Sequence, residues 1–173
     1  DVDSGDSCTY SMSGAPSTIT LSSGTISGTP VNADVGTHTI VVTCTDGSSA
    51  SVSDSYVLTV VNTNDAPTVA NPISDATTAE DAVYSLDISS VFADVDSGDT
   101  LTYSVTTGPS SLTISSGTIT GTPTNDDVGA QTIVITASDG TATVTDSYVL
   151  TVTNTNDAPT ITSTADTTAE EDD

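Results

Sequence analysis

The sequence predicts an all-β chain made of antiparallel sandwich modules in tandem. Three observations lead there. Apolar and polar residues alternate with a period of two in short runs, Gly, Pro, Asp and Ser turn signals separate the runs, and the chain repeats itself at a spacing near 90 residues. Period-two alternation between turns marks half-buried antiparallel strands. A spacing of this length exceeds the roughly 20–50 residues of a solenoid repeat. It fits tandem sandwich domains of about 100 residues.

The repeat can be followed letter by letter. Asp1-Val2-Asp3-Ser4-Gly5-Asp6 returns as Asp94-Val95-Asp96-Ser97-Gly98-Asp99. Ser23-Gly24-Thr25-Ile26-Ser27-Gly28-Thr29-Pro30 returns as Ser116-Gly117-Thr118-Ile119-Thr120-Gly121-Thr122-Pro123. Asp34-Val35-Gly36 pairs with Asp127-Val128-Gly129, and Asp46-Gly47 with Asp139-Gly140, all at an offset of 93. After one deletion the offset is 92, for Tyr56 with Tyr148 and for Asn62-Thr63-Asn64-Asp65-Ala66-Pro67-Thr68 with residues 154–160.

This organisation gives a first module over 1–61, a linker over 62–68, a complete module over 69–153, a second linker over 154–160, and a start of a further module or a donor strand over 161–173. In the complete module Tyr84, Leu86 and Ile88 alternate with polar residues, as do Leu101, Tyr103 and Val105. Leu112 and Ile114, then Thr118-Ile119-Thr120, then Ile133, Ile135 and Ala137, then Tyr148, Leu150 and Val152 continue the pattern. About seven short strands in such a length make a two-sheet sandwich, and no helical period is visible.

The first module begins at the counterpart of Asp94 and lacks the region matching Asp75 to Ala93, its first two strands. A sandwich without them has unpaired edges and an open core. Two readings stand: the chain is a window on a longer array, or it assembles head to tail, one chain's tail adding strand structure to the next chain's first module. Thr167-Thr168-Ala169-Glu170 echoes Thr77-Thr78-Ala79-Glu80 and supplies at most one of the missing strands.

The chain of 173 residues carries 24 acidic residues, no Lys and no Arg, for a net charge of −24. Nucleic-acid binding needs cations against phosphates, so it is not expected. Docking on an anionic membrane surface is disfavoured for the same reason, and no run approaches the roughly 20 apolar residues of a spanning helix. Self-repulsion of this size destabilises a compact state, and bound cations or a salt-rich habitat would relieve it. Cys8 aligns with Leu101 and Cys44 with Ala137, both at inward parity on neighbouring strands. A Cys8–Cys44 disulfide in an oxidising extracellular setting is expected, against two buried free thiols acting as small hydrophobes.

Asp94-Val95-Asp96-Ser97-Gly98-Asp99-Thr100-Leu101-Thr102-Tyr103-Ser104-Val105 resembles the cadherin-repeat segment that carries two calcium-binding aspartates. Ala137-Ser138-Asp139-Gly140 resembles the later Ala-x-Asp-Gly turn, and Asn154-Thr155-Asn156-Asp157-Ala158-Pro159 the inter-repeat linker. The stretch from Leu112 to Asp139 is similar to the putative-Ig and dystroglycan-type cadherin-like repeats of bacterial surface proteins. The resemblance implies Ig/cadherin-like sandwiches and an extracellular or cell-surface location. At the middle linker it implies a Ca2+ site from Asn62, Asn64 and Asp65 with Asp94, Asp96 and Asp139. At the far end of the second module it implies Glu80 with Asn154, Asn156 and Asp157. Asp1, Asp3 and Asp46 would face a linker outside the chain. Departures include Gly121-Thr122-Pro123 in place of the cadherin Asp-Arg-Glu motif and Asn62 in place of an aspartate. They imply fewer ions and weaker binding.

Read from chemistry alone, calcium takes about 6–8 hard oxygen ligands in flexible geometry, and Asp94 and Asp96 can share one ion if the backbone turns at Ser97-Gly98. The competing reading is an acidic turn in which Asp and Ser cap backbone groups. His38 aligns with Gln131, has no nucleophile placed beside it by any motif, and reads as an exposed strand residue. No catalytic residues are assigned and no enzyme is expected. The expected function is a structural one: a calcium-rigidified spacer, stalk or filament subunit whose partners are neighbouring modules of the same or identical chains, a homopolymer included. The alternative is an adhesin module binding a partner through loops or edge strands. Ser7–Ser17 and Ser48–Ser53, the most divergent aligned regions, are where such a site would lie.

Overall fold

The computed structural model describes residues 7–163. Among the described residues, fourteen strands and two 3-10 turns make up the regular structure. The chain divides into two compact units, one of Asp1–Thr68, Ala93–Thr102 and Ser138–Val144, the other of Val69–Phe92, Tyr103–Ala137 and Thr145–Asp173. The division does not coincide with the sequence repeat: the linker and two turns of the second repeat belong to the first unit.

In the first unit the strands are β1 (Thr9–Ser13), β2 (Ile19–Ser22), β3 (Thr25–Gly28), β4 (Gly36–Thr45) and β5 (Ser51–Val60). One antiparallel sheet has the order β1-β4-β5, and β2 pairs with β3. The hairpin register Ser22↔Thr25 leaves a two-residue loop. Ser23 and Gly24 both hold positive φ there, 48° and 77°, as a type I′ turn requires. Gly28 faces Ile19 across the hairpin, and a Cβ on it would lie 2.1 Å from the Thr18 carbonyl oxygen. The Gly of the repeated Gly-Thr-Pro motif is therefore needed for close backbone approach. Cys8 and Cys44 form a disulfide with Cα atoms 5.5 Å apart.

The second unit holds β7 (Ala76–Ala79), β8 (Tyr84–Asp87), β11 (Leu112–Ser115), β12 (Thr118–Gly121) and most of β10 (Thr102–Thr107), β13 (Gly129–Ser138) and β14 (Thr143–Thr153). Two short strands, β6 (Thr68–Val69) and β9 (Phe92–Ala93), complete the set. One sheet runs β10-β13-β14-β7 and the other β11-β12-β8. The two sheets face each other: Tyr84 on β8 donates its hydroxyl to the Tyr148 hydroxyl on β14, 3.2 Å away in the interior. Ile88, Ile119, Ile133, Ile135 and Leu150 are fully buried between them. At the sheet edge β14 takes β7 in parallel, Leu150 opposite Ala76 and Thr153 opposite Ala79. Two carboxylates fasten the lead-in to β7: Asp146 accepts from the Ile73 N–H at 2.7 Å, and Asp75 accepts from the Val149 N–H at 2.8 Å.

Residues at matched positions of the repeat differ sharply in burial. Tyr148 is 3 % exposed and its counterpart Tyr56 is 42 % exposed; Leu150 and Val152 are buried, whereas Leu58 and Val60 are half-buried. The cause lies in the neighbouring strands. Among the described residues the first unit has nothing corresponding to β7 against β14 or to β8 against β12. Ile40 is its one fully buried apolar side chain among those residues. His38, expected to be exposed, is half-buried with Nε2 2.7 Å from the Asp34 carbonyl oxygen. Gln131 donates in the same way to the Asp127 carbonyl at 2.8 Å.

Large-to-small substitutions in a packed core cost about 2–5 kcal/mol. Ile135→Ala is therefore expected to destabilise the chain by that amount. Val52→Ala on β5, at a side chain 70 % exposed, is expected to stay within about 0.5 kcal/mol. Denaturant titration of both variants checks the contrast.

Candidate metal centre

The local fold of the centre follows from its turns. Asp94 accepts from the Asp96 N–H through Oδ1 at 2.9 Å, closing an Asx turn. Asp99 N–H bonds back to the Asp96 carbonyl at 3.3 Å, and Gly98 supplies a φ of 106°. From the β13–β14 loop Asp139 accepts the N–H groups of Thr141 and Ala142 at 2.6 Å each. The linker completes the arrangement. Asn64 donates Nδ2 to Asp139 Oδ2 at 3.1 Å, and the Asp65 N–H donates to Asp96 Oδ2 at 2.7 Å. All these residues belong to the first compact unit.

Asp94, Asp99 and Asp139 each offer a carboxylate oxygen within 4.8 Å of the other two. Asp96 is only 5 % exposed. Asp94 Oδ2 and Asp96 Oδ1 are buried and have no hydrogen-bond partner among the described residues. A buried anionic oxygen left unpaired carries a large desolvation cost. A hard cation with oxygen ligands removes that cost and the repulsion between the carboxylates together. The residues present fit such an ion. The two readings of the acidic turn are not exclusive, since Asp94 uses one oxygen to cap the turn and leaves the other unpaired.

The electrostatics separate the members of the group. Partial removal from water, with Asp96, Asp94 and Asp139 beside it, pushes the Asp99 carboxyl above its ordinary 3.8. The Ala142 and Thr141 N–H groups, helped by Asn64, hold Asp139 below 3.8.

The remaining candidates fall elsewhere. Asn62 and Asn154 are exposed and share none of these bonds. Asp46 caps its own turn, accepting from Ser48 and Ala50 at 2.9 and 2.8 Å. Asp1 and Asp3 lie outside the described residues. In the second unit Glu80 is 1 % exposed, accepts the Thr155 N–H at 2.6 Å, and has Oε2 buried without a partner among the described residues. Asp157 accepts from Asn125 Nδ2 at 2.8 Å, and Asn156 Nδ2 donates to the Asp157 carbonyl at 3.2 Å. The first linker repeats this, with Asn32 Nδ2 on Asp65 at 2.7 Å and Asn64 Nδ2 on the Asp65 carbonyl at 2.9 Å. Asp99 is absent from the residues expected at the site, although the Asp-x-Asp-x-x-Asp spacing carries it. Nothing in the sequence marks Asn32 and Asn125 as linker contacts.

The family described as "Putative Ig domain" matches residues 1–61 and again residues 66–153. The chain belongs to this family. Among curated proteins, a stretch of this Ig-domain chain is 36 % identical over 142 residues to the "Serine-rich adhesin for platelets" of Staphylococcus aureus (strain MRSA252), covering 79 % of this chain and 10 % of that protein. The chain thus spans a small part of the curated relatives it matches. Among solved structures, human mucin-like protocadherin EC1-2 overlays with a TM-score of 0.66 over 90 % of this chain and 87 % of that one, at 16 % identity. That likeness shows the cadherin-like sandwich fold. An endo-fucoidan hydrolase of glycoside hydrolase family 107 overlays with a TM-score of 0.47 over 88 % of this chain and 24 % of the hydrolase, at 26 % identity, which carries no argument about chemistry. The location is extracellular or at the cell surface. No helix among the described residues is long and apolar enough to cross a membrane.

The pH response follows from the signs. Asp139, lowered by folding, contributes stability above pH 3.8 that is lost as the pH falls through its folded value. Asp99, raised by folding, contributes stability that is fully present below pH 3.8 and is lost as the pH rises through its folded value. At neutral pH without divalent ions Asp99→Asn is therefore expected to raise the melting temperature. Carboxyl carbon NMR titration is expected to find Asp99 titrating at higher pH than Asp139.

Proposed function

We propose that this extracellular Ig/cadherin-like chain is a structural module, a spacer, stalk or filament subunit, whose first linker is stiffened by calcium. The observation that carries the reading is the pair of buried, unpartnered oxygens, Asp94 Oδ2 and Asp96 Oδ1: Asp94 is grouped with Asp99 and Asp139, and Asp96 and Asp139 accept from the linker residues Asp65 and Asn64. An ion there ties the linker backbone to two turns of the second repeat through charge instead of two hydrogen bonds. It also neutralises part of a chain carrying −24. Glu80, with its own orphaned oxygen beside Thr155, supports a second, weaker site at the far linker with Asn156 and Asp157. Head-to-tail assembly with identical chains belongs to the same reading. Catalysis has no part in it: His38 is engaged with the Asp34 carbonyl.

Adhesion to a partner is the second reading, favoured by the likeness to the staphylococcal "Serine-rich adhesin for platelets". It would use loops or the exposed strand β5, and the divergent segments Ser7–Ser17 and Ser48–Ser53 are where a partner would be sought.

Extracellular modules of this kind bind calcium at about 10⁻⁴–10⁻³ M. Calcium at tenfold its Kd stabilises by about 1.4 kcal/mol, a rise of several degrees in Tm. Calorimetry with chelator and with millimolar calcium is expected to find that rise in the parent chain and its loss in Asp96→Asn and Asp139→Asn. An unchanged Tm in the parent would remove the calcium part of the reading. A partner bound equally well by the calcium-free chain would favour adhesion.

A further inference from the structure

We propose that Asn32 is a positioning residue for the first linker: its side-chain amide straps the Asp65 carboxylate to the preceding 3-10 turn without any cation. This deepens the linker part of the reading above and rests on it where calcium enters. Asn32 Nδ2 donates to Asp65 Oδ2 at 2.7 Å, across 33 residues of chain. An N–H group on an ionised acceptor makes a strong hydrogen bond. With no Lys or Arg in the chain, a neutral amide takes the place of a basic partner. The turn that carries it, Asn32–Asp34, is a fixed platform. The Asp34 carboxylate accepts the Val31 N–H at 2.9 Å and the Thr18 hydroxyl. The Asp34 carbonyl lies 2.7 Å from His38 Nε2 on β4. The linker is held from its other side as well, by the Asp65 N–H on Asp96 and by Asn64 Nδ2 on Asp139. Asp65 thus has one tie through its side chain and one through its backbone. A bound ion acts on the second, and the first needs none.

Both units carry the strap. In the second, Asn125 Nδ2 donates to Asp157 Oδ2 at 2.8 Å, across 32 residues. One residue fewer separates these partners than separates Asn32 from Asp65, and the bond persists. The supporting residues change while their chemistry stays. Ser111 stands for Thr18 as the hydroxyl donor to the acid of the turn, and the Thr124 N–H stands for that of Val31. Gln131 stands for His38 at the carbonyl of the turn. A strap of this kind orders the linker before an ion arrives. The apparent affinity of a site falls with the fraction of molecules in the competent form. Asn32 therefore acts on the ion through Asp65 and its backbone, with no contact of its own.

The test is amide hydrogen exchange in the full chain, read by NMR with chelator present, so that no ion contributes. Asn32→Ala is expected to speed exchange of the Asp65 N–H about three- to tenfold, the range of one such hydrogen bond. Ile40, fully buried in the same unit, is expected to keep its rate. Asn32→Asp sets two carboxylates against each other and is expected to lose at least as much protection. Adding Asp65→Asn to it restores an amide–carboxylate pair with the ends exchanged, and protection at position 65 is expected to return. Unchanged exchange in Asn32→Ala, an equal rise at Ile40, or no recovery in the exchanged pair would each overturn the proposal. A calcium titration then reads the positioning role, with the apparent Kd of Asn32→Ala expected to rise about three- to tenfold. An unchanged Kd, against a parent that binds calcium, would overturn that role. The two ideas fail separately. A parent that ignores calcium removes the calcium reading and leaves the strap to be decided by exchange, and a calcium response with unchanged exchange does the reverse.

Discussion

Every carboxylate in this chain has to find its partner without help from a lysine or an arginine. The backbone supplies most of what is needed. Asp139, Asp46 and Asp87 cap their own turns, while Asp146 and Asp75 cross-tie β14 to the approach of β7. Asp34 and Asp127 fasten the 3-10 turns to the preceding hairpins through Thr18 and Ser111. Hydrogen bonds from N–H and O–H groups to an ionised acceptor are stronger than neutral ones, so these aspartates cross-link loops that a small core alone would hold loosely. Three buried oxygens escape this provision among the described residues: Glu80 Oε2, Asp94 Oδ2 and Asp96 Oδ1. All three lie on carboxylates bonded to linker N–H groups or grouped with such a carboxylate. A cation is called for where the backbone runs out of donors.

The two halves of the repeat form an internal control. The same hairpin, the same I′ turn and the same Asx-capped loop occur twice, yet only the second copy buries its tyrosine and its β14 leucine and valine. The difference cannot be one of strand propensity, because Tyr56-Val57-Leu58-Thr59-Val60 and Tyr148-Val149-Leu150-Thr151-Val152 are identical. It comes from the strands packed on them. Burial in a sandwich is a property of neighbours, and an apolar face with an unpaired edge invites one.

Much of the fold could be read from sequence because large apolar residues alternate where strands lie. β8, β10, β11, β12, β13 and β14 all coincide with such runs. β7 does not announce itself: Ala76-Thr77-Thr78-Ala79 has no large apolar residue, and its parallel pairing with β14 is decided by tertiary packing. The short 3-10 turns at Asn32–Asp34 and Asn125–Asp127 are likewise too brief to leave a periodic signal. At the candidate centre Asn64, Asp65, Asp94, Asp96 and Asp139 come together as a group, which a linker motif and a turn motif could suggest. Asp99 joins them through the tight Ser97-Gly98 bend, a geometric fact. The contacts of Asn32 with Asp65 and of Asn125 with Asp157 join residues more than thirty positions apart, beyond the reach of local pattern.

We propose that the carboxylate oxygens left unpaired beside the first linker hold a calcium ion. A crystal structure of the chain grown in millimolar calcium, with the anomalous signal measured, tests it most directly. The account requires an ion at about 2.3–2.6 Å from both Asp94 Oδ2 and Asp96 Oδ1, with Asp99 and Asp139 turned toward it. Those two oxygens bonded to water or to protein donors, with no ion between them, would contradict it.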